Sequence, residues 1–133
     1  NMRKFTSLNE GVKFGKFTIE DDRILYKDSD FFIMFDGFPA SPGHILIITN
    51  GHEETYFDLS KSKKNKLVEM LDKAKEIVES KYEPDGYNIG MNCGETSGQT
   101  VMQFHCHLIP RYTGDVENPR GGIRHCIMGK GNY

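Results

Sequence analysis

Apolar positions along the chain follow two periods. Residues 23–26 and 31–35 are short β-rich runs separated by the turn-forming Lys27-Asp28-Ser29-Asp30, and the β-branched stretch 44–49 predicts a third strand. Between the second and third strands, Gly37-Phe38-Pro39-Ala40-Ser41-Pro42-Gly43 has too many prolines and glycines for either a helix or a central strand. Leu67, Val68, Met70, Leu71, Ala74, Ile77, Val78 and Tyr82 then recur at steps of three and four, which marks one apolar face of a helix. Ser60 is its expected N-cap, and Glu83-Pro84-Asp85-Gly86 its expected end. The lysines at 61, 63, 64 and 66 read as a solvated helix start. Residues 87–93 predict a fourth strand, 94–98 a loop, and 101–109 a fifth strand terminated by Pro110. The expectation is an α+β fold, a five-stranded mainly antiparallel sheet with one long helix. It forms a single domain over residues 1–133, with its core over about 20–111 and a C-terminal tail, 112–133, lacking long regular elements.

Composition narrows the class. The chain has 133 residues, 37% hydrophobic and 27% charged, with 9 Phe and 6 Tyr, enough for one real core and unlike disordered or coiled-coil sequences. Its apolar runs are far shorter than the roughly 20 residues of a membrane helix. No signal peptide is visible or expected, and Asn1 ahead of Met2 reads as a cloning remnant. A net charge of −2 argues against a nonspecific nucleic-acid binder, although a phosphate pocket needs only a few donors. Cys93, Cys106 and Cys126 form no C-x-x-C pair. That disfavours a disulfide scaffold or a cysteine-only zinc site and fits a reducing, cytoplasmic setting.

The candidate chemistry lies between Gly98 and Arg111. On a strand, Gln103, His105 and His107 share one face while Phe104, Cys106 and Leu108 share the other, which can pack on the helix. Two imidazoles roughly 7 Å apart along the strand can reach one small anion. Three readings compete on residue types: an inert polar sheet face, a metal site using His44, His105 and His107, or phosphate chemistry by nucleophilic and acid–base imidazoles. The preceding Asn92-Cys93-Gly94-Glu95-Thr96-Ser97-Gly98-Gln99-Thr100 favours the third, since such a loop can offer backbone N–H groups and side-chain donors to phosphate oxygens.

At these residues the sequence resembles the histidine triad nucleotide hydrolases and transferases. The match is Gly98-Gln99-Thr100-Val101 followed by Gln103-Phe104-His105-Cys106-His107-Leu108-Ile109, with a second block at Phe35-Asp36, Pro39 and Pro42-Gly43-His44 leading to His52. The resemblance implies that His105 is the nucleophile at the α-phosphorus of a nucleotide. His107 would assist the leaving group, with His44 beside them. Asn92, Gln99 and Thr100 would hold phosphate oxygens, with Gln103 also at the substrate site. Asp36 would accept from the ribose hydroxyls. Ile33, Met34 and Phe38 are candidates to wall the base, and His52 is read as structural or exposed.

The first histidine of the signature is Gln103 here, and the N-terminal C-x-x-C that accompanies zinc in many members is missing. No structural zinc is therefore expected, and no obligatory cofactor, although a divalent cation can accompany a polyphosphate substrate. His107 at the last position favours hydrolysis over transfer. The tail resembles that of bacterial diadenosine-polyphosphate-hydrolase-like members, with Arg120, Arg124 and Lys130 as candidates for a distal phosphate. The implied substrates are dinucleoside polyphosphates or nucleoside phosphoramidates. Two-fold dimers formed by joined sheets are implied as well. A nucleotide-binding regulatory module with negligible turnover and a metal-binding domain using His44, His105 and His107 are the alternatives.

Overall fold

A computed structural model describes residues 11–133. The readings on Asn1 and a signal peptide fall on residues 1–10 and lie outside the described residues. Five strands form one antiparallel sheet: β3 (Ile24–Lys27), β4 (Phe31–Phe35), β5 (Ile45–Thr49), β6 (Gly86–Gly90) and β7 (His105–Arg111), in the order β3-β4-β5-β7-β6. Ahead of it, β1 (Val12–Phe14) and β2 (Phe17–Ile19) form a separate hairpin, and α1 spans Lys61–Glu79.

The two central apolar runs are explained by burial on both sheet faces, which removes the usual polar alternation. Phe31, Ile33, Ile45 and Ile47 face α1 with Leu67, Met70, Ala74 and Val78. Phe32, Met34, Leu46 and Ile48 face the other way, where the hairpin covers them with Val12 and Ile19. The apolar core therefore begins before residue 20. A hairpin signal is present in the alternation Val12-Lys13-Phe14 and Phe17-Thr18-Ile19 about Gly15, whose φ is +62°.

Ser60 caps α1 as expected, its hydroxyl accepting from Lys63 N at 3.1 Å. The helix stops at Glu79, so Tyr82 lies beyond it, and Val68 points outward at 63% exposure. The lysines are not uniformly solvated. Lys63 donates to Thr49 Oγ1 at 2.7 Å and pairs with Glu53, and Lys66 reaches Asp28 at 3.4 Å.

The last strand departs most from expectation. Its ladder begins with Thr49 N donating to Phe104 O, and it runs through Pro110 to Arg111. Pro110 is tolerated because alternate residues of β7 address β5 and β6 in turn. Pro110 addresses the β5 side beyond the end of that ladder, where its carbonyl accepts from Ser41 Oγ at 2.6 Å. Upstream, residues 101–103 leave the sheet.

Adjacent helix residues should separate burial from composition. Leu67→Ala is expected to cost about 2–4 kcal/mol in urea unfolding, whereas Val68→Ala should stay within about 0.5 kcal/mol. Equal losses would contradict the packing described.

Candidate active site

The histidine strand presents two faces, as its period requires: Phe104, Cys106 and Leu108 are buried against α1, and His105 and His107 lie on the opposite face. Gly43, at φ +88°, turns the chain into β5 where a Cβ would stand 2.9 Å from Tyr82, and so delivers His44. His44 is buried, and its ring centroid is 5.1 Å from that of His107, which in turn is 5.3 Å from that of His105.

Backbone groups decide the protons on this row. Ala40 N donates to His44 Nδ1 at 2.9 Å, so that nitrogen is bare and the proton sits on Nε2. His44 Nε2 then donates to His107 Nδ1 at 2.9 Å, which leaves the His107 proton on Nε2. His105 Nδ1 stands 2.9 Å from Gln103 O. A carbonyl only accepts, so His105 carries a proton on Nδ1, and in its neutral form the lone pair is on Nε2. Burial, reinforced by the neighbouring His105 and His44, pushes the His107 imidazole down to about 4. Burial also lowers His44, with Asp36 opposing. The pair is thus neutral at pH 7.

Asp36 reaches the same row. Its Oδ2 is 3.5 Å from His44 Nε2, and its Oδ1 accepts from Phe38 N at 2.8 Å. Ligand atoms of Asp36, His44 and His107 lie within 4.8 Å of one another. His105 is outside that set, unlike the three-histidine metal site considered from sequence. The closest nitrogens of the set are already joined by a hydrogen bond, which an ion would have to break.

The loop before β7 folds differently from a phosphate cradle. Gln99 is buried: its Nε2 donates to Glu54 O at 2.7 Å and Val101 O at 3.1 Å, and its Oε1 accepts from Gly94 N at 2.8 Å. The N–H groups of Ser97, Gly98 and Gln99 also bond within the loop. Gln99 therefore shapes the loop, and its amide is turned away from any phosphate. Gln103 is likewise turned into the protein. Its Nε2 donates to Lys13 O and Thr49 O, both at 2.9 Å, and its Oε1 accepts from Gly15 N at 2.8 Å. Those bonds pin the β1–β2 hairpin to the sheet, and Phe14 of that hairpin packs edge-on against His105 with centroids 4.9 Å apart. Asn92 lies two residues past Gly90, the last β6 residue paired with β7, which stands opposite His107. Asn92 and Thr100 are exposed, and neither side chain has a hydrogen-bond partner among the described residues. Ile33 faces α1, Met34 faces the hairpin, and Phe38 is 93% exposed. His52 is exposed.

Sequence from residue 18 to residue 114 matches the HIT domain. The chain belongs to the HIT domain family. It is 33% identical over 95 residues to an uncharacterized HIT-like protein of Methanocaldococcus jannaschii, covering 71% of this chain and 73% of that one. It is 30% identical over 105 residues to a bis(5'-adenosyl)-triphosphatase of Dictyostelium discoideum, covering 79% and 70%. Among solved structures, a HIT family protein from Bacillus anthracis superposes with a TM-score of 0.65 at 32% identity, covering 69% of this chain and 65% of that one. The residues missed from sequence are Phe14, Ala40 through its N–H, and the Gln103 side chain as a clamp.

Two outcomes follow for the site. Replacing Gln103 by Leu leaves two carbonyls and one N–H without their partner. It should cost about 1–3 kcal/mol and speed hydrogen exchange at Gly15, and unchanged exchange would contradict the clamp. For pH, the unfolded imidazole titrates near 6.5 and the folded His107 near 4. Between those values the unfolded chain binds more protons, so stability falls as pH drops through that window. Urea midpoints at pH 7 and pH 4.5 should reveal a loss of about 1–3 kcal/mol that shrinks in His107→Asn.

Proposed function

We propose that the protein is a nucleotide hydrolase acting at the α-phosphate of dinucleoside polyphosphates or nucleoside phosphoramidates. The observation that carries this reading is the bare Nε2 of His105, implied by its Nδ1 contact with the Gln103 carbonyl. In the proposed reaction His105 Nε2 attacks the α-phosphorus, the bond from phosphorus to the leaving oxygen or nitrogen breaks, and a nucleotidyl-histidine forms. A neutral His107 carries a proton on Nε2 that can bond a phosphate oxygen or the leaving atom. Water then attacks the phosphorus, releasing the nucleoside monophosphate and the free imidazole. Asp36 is the proposed acceptor for ribose hydroxyls, and the free Asn92 and Thr100 side chains are proposed donors to phosphate.

Supporting this reading are the triphosphatase name carried by the Dictyostelium relative and the AP-4-A phosphorylase name of a Mycobacterium tuberculosis relative that is 28% identical over 80 residues. The proposed enzyme needs no resident metal, although a divalent cation can travel with the polyphosphate. We assign it to the bacterial diadenosine-polyphosphate-hydrolase-like branch, in which Gln103 replaces a motif histidine. A homodimer joined through sheet edges and a cytoplasmic setting belong to the same proposal, with neither nucleic acid nor membrane as partner. Among the described residues no helix is long and apolar enough to cross a membrane.

The test is AMP release from a diadenosine polyphosphate. His105→Ala should reduce the rate by about 10³-fold or more. Equally slow release by both proteins would overturn the hydrolase reading and favour a binding module.

A further inference from the structure

The β1–β2 hairpin stands apart from the main sheet, yet it meets the nucleophile. In β1, Val12 and Phe14 share one face by the strand period of two. Val12 is buried with Phe32, Met34, Leu46 and Ile48. Phe14, two residues on, reaches His105, which stands opposite Ile48 across the β5–β7 ladder. The two rings meet edge-on, with centroids 4.9 Å apart and planes at 77°.

The Gln103 carboxamide grips the chain on both sides of that phenyl ring. Its Nε2 donates to Lys13 O at 2.9 Å and its Oε1 accepts from Gly15 N at 2.8 Å. Both peptide units flanking Phe14 are therefore bonded to one planar group. A third bond, from Nε2 to Thr49 O at 2.9 Å, fixes the group to the end of β5. Glycine at position 15 permits this approach, since φ is +62° and a Cβ there would stand 3.1 Å from Val101 Cγ1.

The backbone of the same residue holds the nucleophile, through the 2.9 Å contact between Gln103 O and His105 Nδ1. One hydrogen bond fixes a ring atom and leaves the tilt of the ring free, so the plane is set by the rings packed beside it. These are Phe14 and His107, the latter with its centroid 5.3 Å away. His107 is itself held by His44, and Phe14 by Gln103. We infer that Gln103 and Phe14 are positioning residues for His105: the carboxamide sets the hairpin, and the phenyl ring then sets the plane in which Nε2 is aimed. The catalytic consequence rests on the hydrolase reading and adds to it a cause of in-line attack. Neither residue supplies a reacting atom, so loss of either lowers rate rather than affinity.

Two readouts test it, the first without substrate. Carbon-13 relaxation of the histidine Cε1–H bonds reports ring motion on the picosecond to nanosecond scale. The His105 order parameter should be near the rigid value of about 0.85 and fall below about 0.6 in both Phe14→Ala and Gln103→Met. That of His107, held from the other end of the row, should not move. The second readout is AMP release from a diadenosine polyphosphate. Each substitution should lower kcat about tenfold and leave KM within about twofold. Because the carboxamide acts through Phe14, the double variant should also be about tenfold slower, not about a hundredfold. Phe14→Leu, a milder truncation, serves in place of Phe14→Ala if urea unfolding shows that variant to be unfolded. Unaltered order parameters, losses carried by KM, or losses that multiply overturn the inference. If the unmodified protein releases no AMP, the hydrolase reading fails separately, and the relaxation result still decides whether the ring is positioned this way.

Discussion

A single carbonyl governs the chemistry available to this site. The oxygen of Gln103 cannot donate a hydrogen bond, so the imidazole beside it must carry a proton on Nδ1, and its neutral form has the lone pair on Nε2. Nothing about the Gln103 side chain enters that bond, so the tautomer of the His105 imidazole does not depend on the residue type at position 103. A mirror-image constraint acts at the far end of the row. There the donor is the N–H of Ala40, and it sets His44 and then His107 in the opposite tautomer. One backbone acceptor and one backbone donor thus give chemically identical rings different roles.

Holding those rings requires the rest of the fold. Burial of β5 on both faces anchors His44 immediately before it, and the turn at Gly43 sets where the ring emerges. The hairpin closes the side of the site next to His105 and is itself tied down by the Gln103 carboxamide. A carboxamide offers two donors and an acceptor in one plane, matching two carbonyls and one N–H; a neutral imidazole offers one of each and could not make all three bonds. Desolvation then works with the hydrogen bonds, since it favours neutral forms of His44 and His107 at physiological pH.

Sequence alone exposed what depends on local period and local caps. The alternation from Gln103 to Leu108 correctly divides the strand into a helix-facing and an open face, and Ser60 begins α1. It failed where the deciding partner is distant. Gln99 was expected to hold phosphate and Gln103 to lie at the substrate site, yet Gln99 Nε2 is bound to a carbonyl 45 residues away and Gln103 Nε2 to one 90 residues away in the chain. Pro110 read as a strand end because its lack of an N–H is visible in sequence, while the direction that N–H would have faced is not. The β1–β2 hairpin was legible in principle from its alternation about Gly15, but a three-residue strand carries too little pattern to stand out.

Nitrogen-15 NMR of the histidine side chains near pH 7 tests the proton arrangement most directly. The account requires His105 protonated on Nδ1 with a bare Nε2, and His44 and His107 protonated on Nε2. A His105 ring carrying its proton on Nε2 would contradict it, because the lone pair on which the proposed chemistry depends would then be missing.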